Sequence, residues 1–458
     1  MNTGLTADVR TAYTAGFTKA LARGAELPSW LLGVRKNAFD AFLTQGWPTT
    51  KQENWRFTDV GPMTGLGLGT AVQSPSGDPG DARGASPNDI EKRFDPSLVN
   101  LGGGRGHRLV FVDGHYHPTF SAWEPLPGAL LVLPLSSALA RDAEMVHGLL
   151  GHHLPNQNAF VSLNTAFMND GAFVHIPAGF SAELPIYLVF LSSGEGTTIF
   201  PRTVVLADQG SRATIVEVHL GADGSTNLAN AATEILVGRG ARLSYYSVQR
   251  ASPLGFQVAN VAVTQKADST FSSHNFFLDG RIVRNDLYAT LDEERCTCNL
   301  DGLYLAGGNS HIDNHTTIDH RMPQSTSREV YKGVIDDRAR AVFNGRIIVR
   351  PGAQQTDARQ TNRNLLLADG AVVHTKPHLE IFANDVKCGH GASIGRLDED
   401  ALFYLRSRGI GVKEAYQLLI RAFVQEGIEH VEFEPLRAEL EQILAKRIDT
   451  LSATGAPK

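Results

Sequence analysis

Apolar positions fall into three regimes along the chain. From about residue 5 to 45 they recur at helical spacing, with Leu32, Val34, Phe39, Phe42 and Leu43 as one set and Pro28 near a helix start. From about 107 to 390 the pattern becomes that of strands. HRLVFVDGHYH, ALLVLPL, AFVHIPAGF, IYLVFLSS, RTVVLAD, ATIVEVHL, TEILVG, ARLSYYSVQR and RIIVRPGA are short β-branched and aromatic runs cut by Gly, Asp or Asn. The main exception is SSALARDAEMVHGLL (136–150), which predicts a short helix. After Gly395 the helical period returns. Asp398 can cap a helix that runs through Phe403, Tyr404 and Leu405 and stops at Gly409. Val412, Ala415, Tyr416, Leu419, Ile420 and Phe423 form an amphipathic stripe ending at Gly427, and a third helix starts at Pro435 with Leu436, Leu440, Ile443 and Leu444 on one side. These stripes predict core contacts; a surface for docking a partner is the second reading.

The regimes divide the chain into an N-terminal helical region (1–70), a linker or mobile insertion (71–106), a strand-rich region (107–395) and a C-terminal helical region (396–458). The insertion is marked by QSPSGDPGDARGASPNDIEK, rich in Ser, Pro, Gly and Asp. A strand-rich region this long exceeds one ordinary sandwich, so closure or stacking has to dispose of its sheet edges. Between Ala172 and Arg250 the strand runs begin at irregular intervals of roughly 8 to 20 residues, which suits the rungs of a parallel β-helix. Antiparallel hairpins give the same spacing, and without a hexapeptide repeat a sandwich or jelly roll stays open.

Composition narrows the function classes. The 458 residues are 42% hydrophobic and 20% charged, ordinary for a soluble protein. A net charge of −6 argues against nucleic acid as the main partner. No apolar run approaches the length of a membrane span, and MNTGLTADVRTAYTAGF lacks the apolar core of a signal peptide. Three cysteines make no disulfide framework, so the cytoplasm is the expected compartment.

Cys388 and His390, in DVKCGHG, are the leading candidates for chemistry. A thiol and an imidazole at i, i+2 project on one side of a strand and form a workable donor pair for iron or zinc. A small buried residue beside a hydrogen-bonded histidine is the plainer alternative. His311, Asp313 and His315 share a strand side and with His320 could hold a metal, or form a polar ladder. Cys296 and Cys298 are half of a zinc site with no second pair, which favours buried small residues. Trp47, Trp55 and Phe57 read as a packing patch, and Lys332, Arg346 and Lys376 as scattered cations. GASIG (391–395) matches G-x-S-x-G, which would make Ser393 a nucleophile with His430 as a partner; the β-rich surroundings oppose a hydrolase elbow. No P-loop sequence occurs, so no nucleotide site of that kind is expected in this chain.

Four longer blocks carry more than local chemistry: LNTAFMNDGAFVHIPAG (163–179), HIDNHTTIDH (311–320), TSREVYKGVIDDRARAVFNGRIIVRPGAQQTDARQTNRNLLL (326–367) and HTKPHLEIFANDVKCGHGASIG (374–395). Together they resemble the SufB/SufD family, scaffold subunits of the SUF iron–sulfur cluster assembly machine. The resemblance runs from Pro48 to Gly427 and leans to the SufD branch around DVKCGHG and ALFYLRSRGI; the three cysteines are few for the branch that accepts sulfur. It implies a mainly β fold, a right-handed parallel β-helix core flanked by N- and C-terminal α-helical regions. It further implies a heterodimer with a SufB-like paralogue, with a homodimer for an isolated chain, and a SufC-like ATPase docked on the C-terminal helices. The nascent iron or cluster would form at the subunit interface, where the family's proposed histidine ligand falls on His390 with Cys388 as its neighbour. A non-catalytic scaffold is therefore the leading expectation. A polysaccharide-active β-helix enzyme is the alternative, and it requires a groove lined with carboxylates and basic residues.

Overall fold

The computed structural model describes residues 5–23, 28–64, 66, 93–94, 96–99, 101, 106–121, 128–155 and 158–455. Its centre is a parallel β-helix of about eight coils, each contributing one strand to each of two sheets. One sheet runs through Ile186–Ser192, Arg212–Gly221, Arg242–Arg250, Thr270–Asp279, Thr297–Ala306, Thr326–Ile335, Thr356–Leu366 and Val386–Gly395. The opposite sheet runs from Gly171–Ile176 through Arg202–Ala207, Leu228–Val237, Phe256–Gln265, Ile282–Leu291, His311–His320 and Arg340–Val349 to Val372–Ile381. Most of the strand runs read from the sequence are therefore rungs, and the sandwich and jelly roll fall away.

The repeat is long and variable. Phe256 pairs with Ile282 (26 residues on), Arg242 with Thr270 (28 on) and Arg340 with Val372 (32 on). One corner of successive coils is turned by a residue in the left-handed region. Gly210, Gly240, Asp268, Arg295, Gln324 and Gln355 occupy it in turn. Each donates its backbone N–H to a carbonyl of the next coil, as in Gly240 to Ala267 at 2.9 Å and Arg295 to Pro323 at 3.1 Å. Glycine takes that conformation at little cost, whereas arginine and glutamine do so only when the surrounding ladder holds them. That is why no punctuation repeat is visible in the sequence.

Side chains alternate between the inter-sheet core and the outer faces. Leu243, Phe271, Cys298, Leu300, Tyr304 and Tyr331 fill the inside with their counterparts from the opposite sheet. The outer faces are covered by helices. Helices Ala7–Arg23, Ser29–Gln45 and Ala159–Phe167 pack Phe17, Phe39, Phe42, Phe160 and Leu163 over Leu228, Phe256 and Val258. On the other side, helices Val412–Gln425 and Glu434–Gly455 lay Ile420, Val424, Leu436, Leu440 and Leu444 over Tyr246, Val248, Phe276 and Leu303.

The C-terminal helices have the expected bounds for the expected reasons. Asp398 accepts from the backbone of Asp400 (2.9 Å) and Ala401 (3.2 Å), capping Glu399–Ser407, and Gly409 leaves in the left-handed region. The helix expected near 136–150 is two short ones, Leu135–Arg141 and Ala143–His147. Ala159–Phe167 escapes the period argument because every one of its residues is buried, leaving no polar face to mark a period. Residues 73–92 lie outside the described residues. Further along the expected insertion, Phe94, Leu98, Val99 and Leu101 are buried against the sheet beneath the C-terminal helices.

The two ends of the stack differ. At the N-terminal end, antiparallel partners close both sheets, His115–Tyr116 on His107–Val112 and Leu131–Pro134 on Gly171–Ile176. At the other end, Val372–Ile381 and Val386–Gly395 have ladder partners on one side only among the described residues.

Candidate functional site

Cys388 and His390 sit on that open last coil. Cys388 pairs in register with Ala358, and behind it the same interior column holds Ser327, Cys298, Phe271 and Leu243. Cys388 packs against the inter-sheet core, so its side chain points inward, and His390, two residues on, shares that side. The column beneath His390 is polar. Gln360 is its register partner, and Glu329 is the partner of Gln360. The Gln360 amide donates to Glu329 Oε2 at 2.6 Å. A groove of about 430 Å3 opens over Gln360, Cys388 and His390, with Arg359 and Lys387 on its rim.

Cys388 is half-buried and His390 exposed. Burial pushes the Cys388 thiol up, against a backbone hydrogen bond from Ala358 that favours the thiolate. Thiolate formation therefore calls for a metal or an added positive charge. Among the described residues no group of three or more His, Cys, Asp or Glu side chains is assembled as a metal cage. Gly389 and Gly391 alternate with the two donors, and a Cβ at either would meet nothing within 4 Å, so another backbone can approach closely.

The other sequence candidates have different lives. Asp313 is buried and accepts from Arg284 Nη1 (2.7 Å) and Thr58 Oγ1 (2.5 Å), with His315 Nε2 at 2.9 Å. Thr58 also meets His311 Nε2 at 2.7 Å. Burial alone would raise the Asp313 carboxyl, but Arg284 and His315 hold it well below the usual carboxylate range. Arg284 also lies 3.8 Å over the Trp55 ring. This is a polar latch fastening the N-terminal segment to the β-helix, the ladder alternative of the sequence reading. His320 faces the inside and meets Ser327 Oγ at 2.9 Å, away from the other three.

Cys296 and Cys298 are buried, with both thiols pushed up by burial. They behave as packing residues. Ser393 lies in a regular strand with Arg363 as its register partner, so the sharp strand–turn–helix elbow that a serine nucleophile needs is missing there. Trp47 and Trp55 pack against Phe160, as a packing patch should, while Phe57 stays exposed. Lys332 has a role that sequence did not reveal: 2% exposed, it donates to Phe423 O at 2.8 Å and pairs with Glu426, tying helix Val412–Gln425 to the sheet.

With this geometry in place, the relatives become informative. Residues 190–423 match the SufBD core domain of the SUF FeS cluster assembly system, and residues 10–188 match the SufBD N-terminal region. The chain belongs to the SufBD family. It is similar to an iron–sulfur cluster assembly SufBD family protein of Synechocystis, 32% identical over 94% of this chain and 93% of that one. The iron–sulfur cluster assembly protein SufD of Escherichia coli is 31% identical over 88% of this chain and 89% of its own length. SufD of Bacillus subtilis is 27% identical over 64% of this chain and 68% of its own. The SufBD core match begins within strand Ile186–Ser192 and ends within helix Val412–Gln425, so the family's core takes in most coils of the β-helix and its open end. No helix among the described residues is long and apolar enough to cross a membrane.

Proposed function

We propose that this chain is a non-catalytic scaffold for iron–sulfur cluster assembly that supplies half of a ligand set and receives the rest from a SufB-like paralogue. The observation that carries this is the position of Cys388 and His390, side by side and inward-facing on a coil whose sheets continue no further among the described residues. An unpaired strand edge is a template for another chain, and Ile381, Phe382 and Ile394 expose apolar surface beside it. A paralogue meeting this end covers that surface and brings further donors to the groove. The same end allows a homodimer when the paralogue is absent.

The chemistry of the two donors suits a transient cargo. A thiolate binds ferrous iron or a cluster firmly, and a neutral imidazole is the weaker ligand from which the product can leave. Nucleotide is handled elsewhere, on a SufC-like ATPase. Helix Glu399–Ser407 presents Phe403, 74% exposed, and Tyr404 to such a partner, while Leu402 anchors it inward.

The test is His390→Ala in a reconstituted complex with SufB-like and SufC-like subunits. Iron retention and cluster formation are expected to fall at least about tenfold while complex assembly and thermal unfolding stay unchanged, because His390 is exposed. Undiminished cluster formation removes His390 from the site.

A further inference from the structure

A second cluster of donors lies on the outer face of the sheet beneath the C-terminal helices. His274 and Asp301 are register partners on adjacent coils, and His430 comes from the turn after helix Val412–Gln425. His274 Nδ1 stands 3.4 Å and His430 Nδ1 3.6 Å from the same oxygen, Asp301 Oδ2. Donor atoms of one tetrahedral zinc-sized ion with bonds near 2.0–2.1 Å are separated by roughly 3.3 Å. His274 is 5% exposed and stacks on Tyr246 (centroids 4.9 Å apart), which fixes its ring, yet its Nδ1 has no hydrogen-bond partner in the protein. The three side chains line a cavity of about 460 Å3 with Glu429, Glu432 and Arg328 at its walls.

A buried, unpartnered imidazole nitrogen aimed at a half-buried carboxylate calls for a ligand between them. Two imidazoles and one carboxylate suit a first-row divalent ion such as Fe2+ or Zn2+, whereas Ca2+ and Mg2+ prefer all-oxygen shells. We infer that His274, Asp301 and His430 form a binding site for a divalent transition-metal ion that staples the C-terminal helical hairpin to the β-helix. The fixed half is His274 and Asp301. No closed three-donor cage stands ready among the described residues, and closure takes a turn of His430, whose side chain is 55% exposed.

Such a staple would add to polar ties already spanning this interface, among them Lys332 and Arg363 with Glu426, the Glu432 N–H with Tyr246 Oη, and Arg447 with Asp279 and the Leu278 carbonyl.

The experiment uses the untagged full chain carrying Cys388→Ala and His390→Ala, so that the proposed assembly site contributes nothing and failure of either idea is read separately. Co2+ is titrated anaerobically and followed by its visible ligand-field bands and by metal analysis after desalting. One Co2+ per chain, displaced by Zn2+ and accompanied by a rise in Tm, is the expected result. Adding His430→Ala, at a position exposed enough to leave folding intact, should weaken Co2+ binding more than about tenfold and abolish the Tm rise, since even outer-sphere partners cost that much. Absence of Co2+ uptake, or uptake unaltered by His430→Ala, overturns the proposal.

Discussion

The residue with the most telling environment near the open end is Glu329, one coil behind Gln360. Burial pushes its carboxyl up to about 7, the Gln360 hydrogen bond acting in the opposite direction. In the unfolded chain a glutamate releases its proton near 4.3. Between those values the folded chain holds a proton that the unfolded chain has lost, so stability falls as pH rises from about 4.3 to about 7. Glu329→Gln keeps the shape and an acceptor for Gln360 but removes the titration. Urea unfolding should find the variant close to the parent at pH 4 and more stable at pH 8, by at most about 4 kcal/mol. Parallel stability curves across that range would show that Glu329 is solvated in the folded chain. Residue types alone place Cys388 and His390 on one strand side. That their column continues inward as Gln360 and Glu329 follows from pairings 30 and 31 residues apart, which no local pattern encodes.

At the scale of elements, the C-terminal helices divide their work. Val412–Gln425 and Glu434–Gly455 bury their apolar stripes, so the core reading of those stripes is the right one for most positions. Glu399–Ser407 is different, burying Leu402 while Phe403 and Tyr404 face outward. A helix that spends two aromatics on solvent is a candidate docking element. Phe403→Glu should therefore leave unfolding free energy within about 0.5 kcal/mol of the parent and weaken association with a SufC-like ATPase by about tenfold or more, measured by calorimetry. Unchanged affinity would move the docking surface elsewhere. Caps and amphipathic stripes were readable because they repeat within one or two turns. The buried helix Ala159–Phe167 was not, since its neighbours on all sides come from distant segments, including Asn164 with the Pro201 and Asn230 carbonyls.

For the whole molecule the decisive asymmetry is one capped end and one open end of the β-helix. Both long faces carry helices, which leaves the last coil as the surface where we propose that the β-helix meets another chain. Replacing both Phe382 and Ile394 by Lys puts charge on this edge without touching the inter-sheet core. Size-exclusion chromatography with light scattering should then find a folded monomer that no longer pairs with a SufB-like subunit. Retained pairing would mean that the partner contacts another surface. This outcome is independent of His390 chemistry, because assembly and cluster formation are read separately.

The sequence by itself determined most of the element types, helix Ala159–Phe167 excepted, the helix stops at Gly409 and Gly427, and the family, because these rest on local period, capping residues and ordered motifs. It also brought Cys388 and His390 forward as a pair. Tertiary structure alone decided the stacking register, since the coil length varies from 26 to 32 residues and its left-handed corner accepts Gly, Asp, Arg or Gln alike. That register turned His311, Asp313 and His315 into a latch on Thr58, sent His320 inside, and brought His274 and Asp301 within reach of His430. Contacts of this kind depend on where the chain returns to, and only the folded β-helix fixes that.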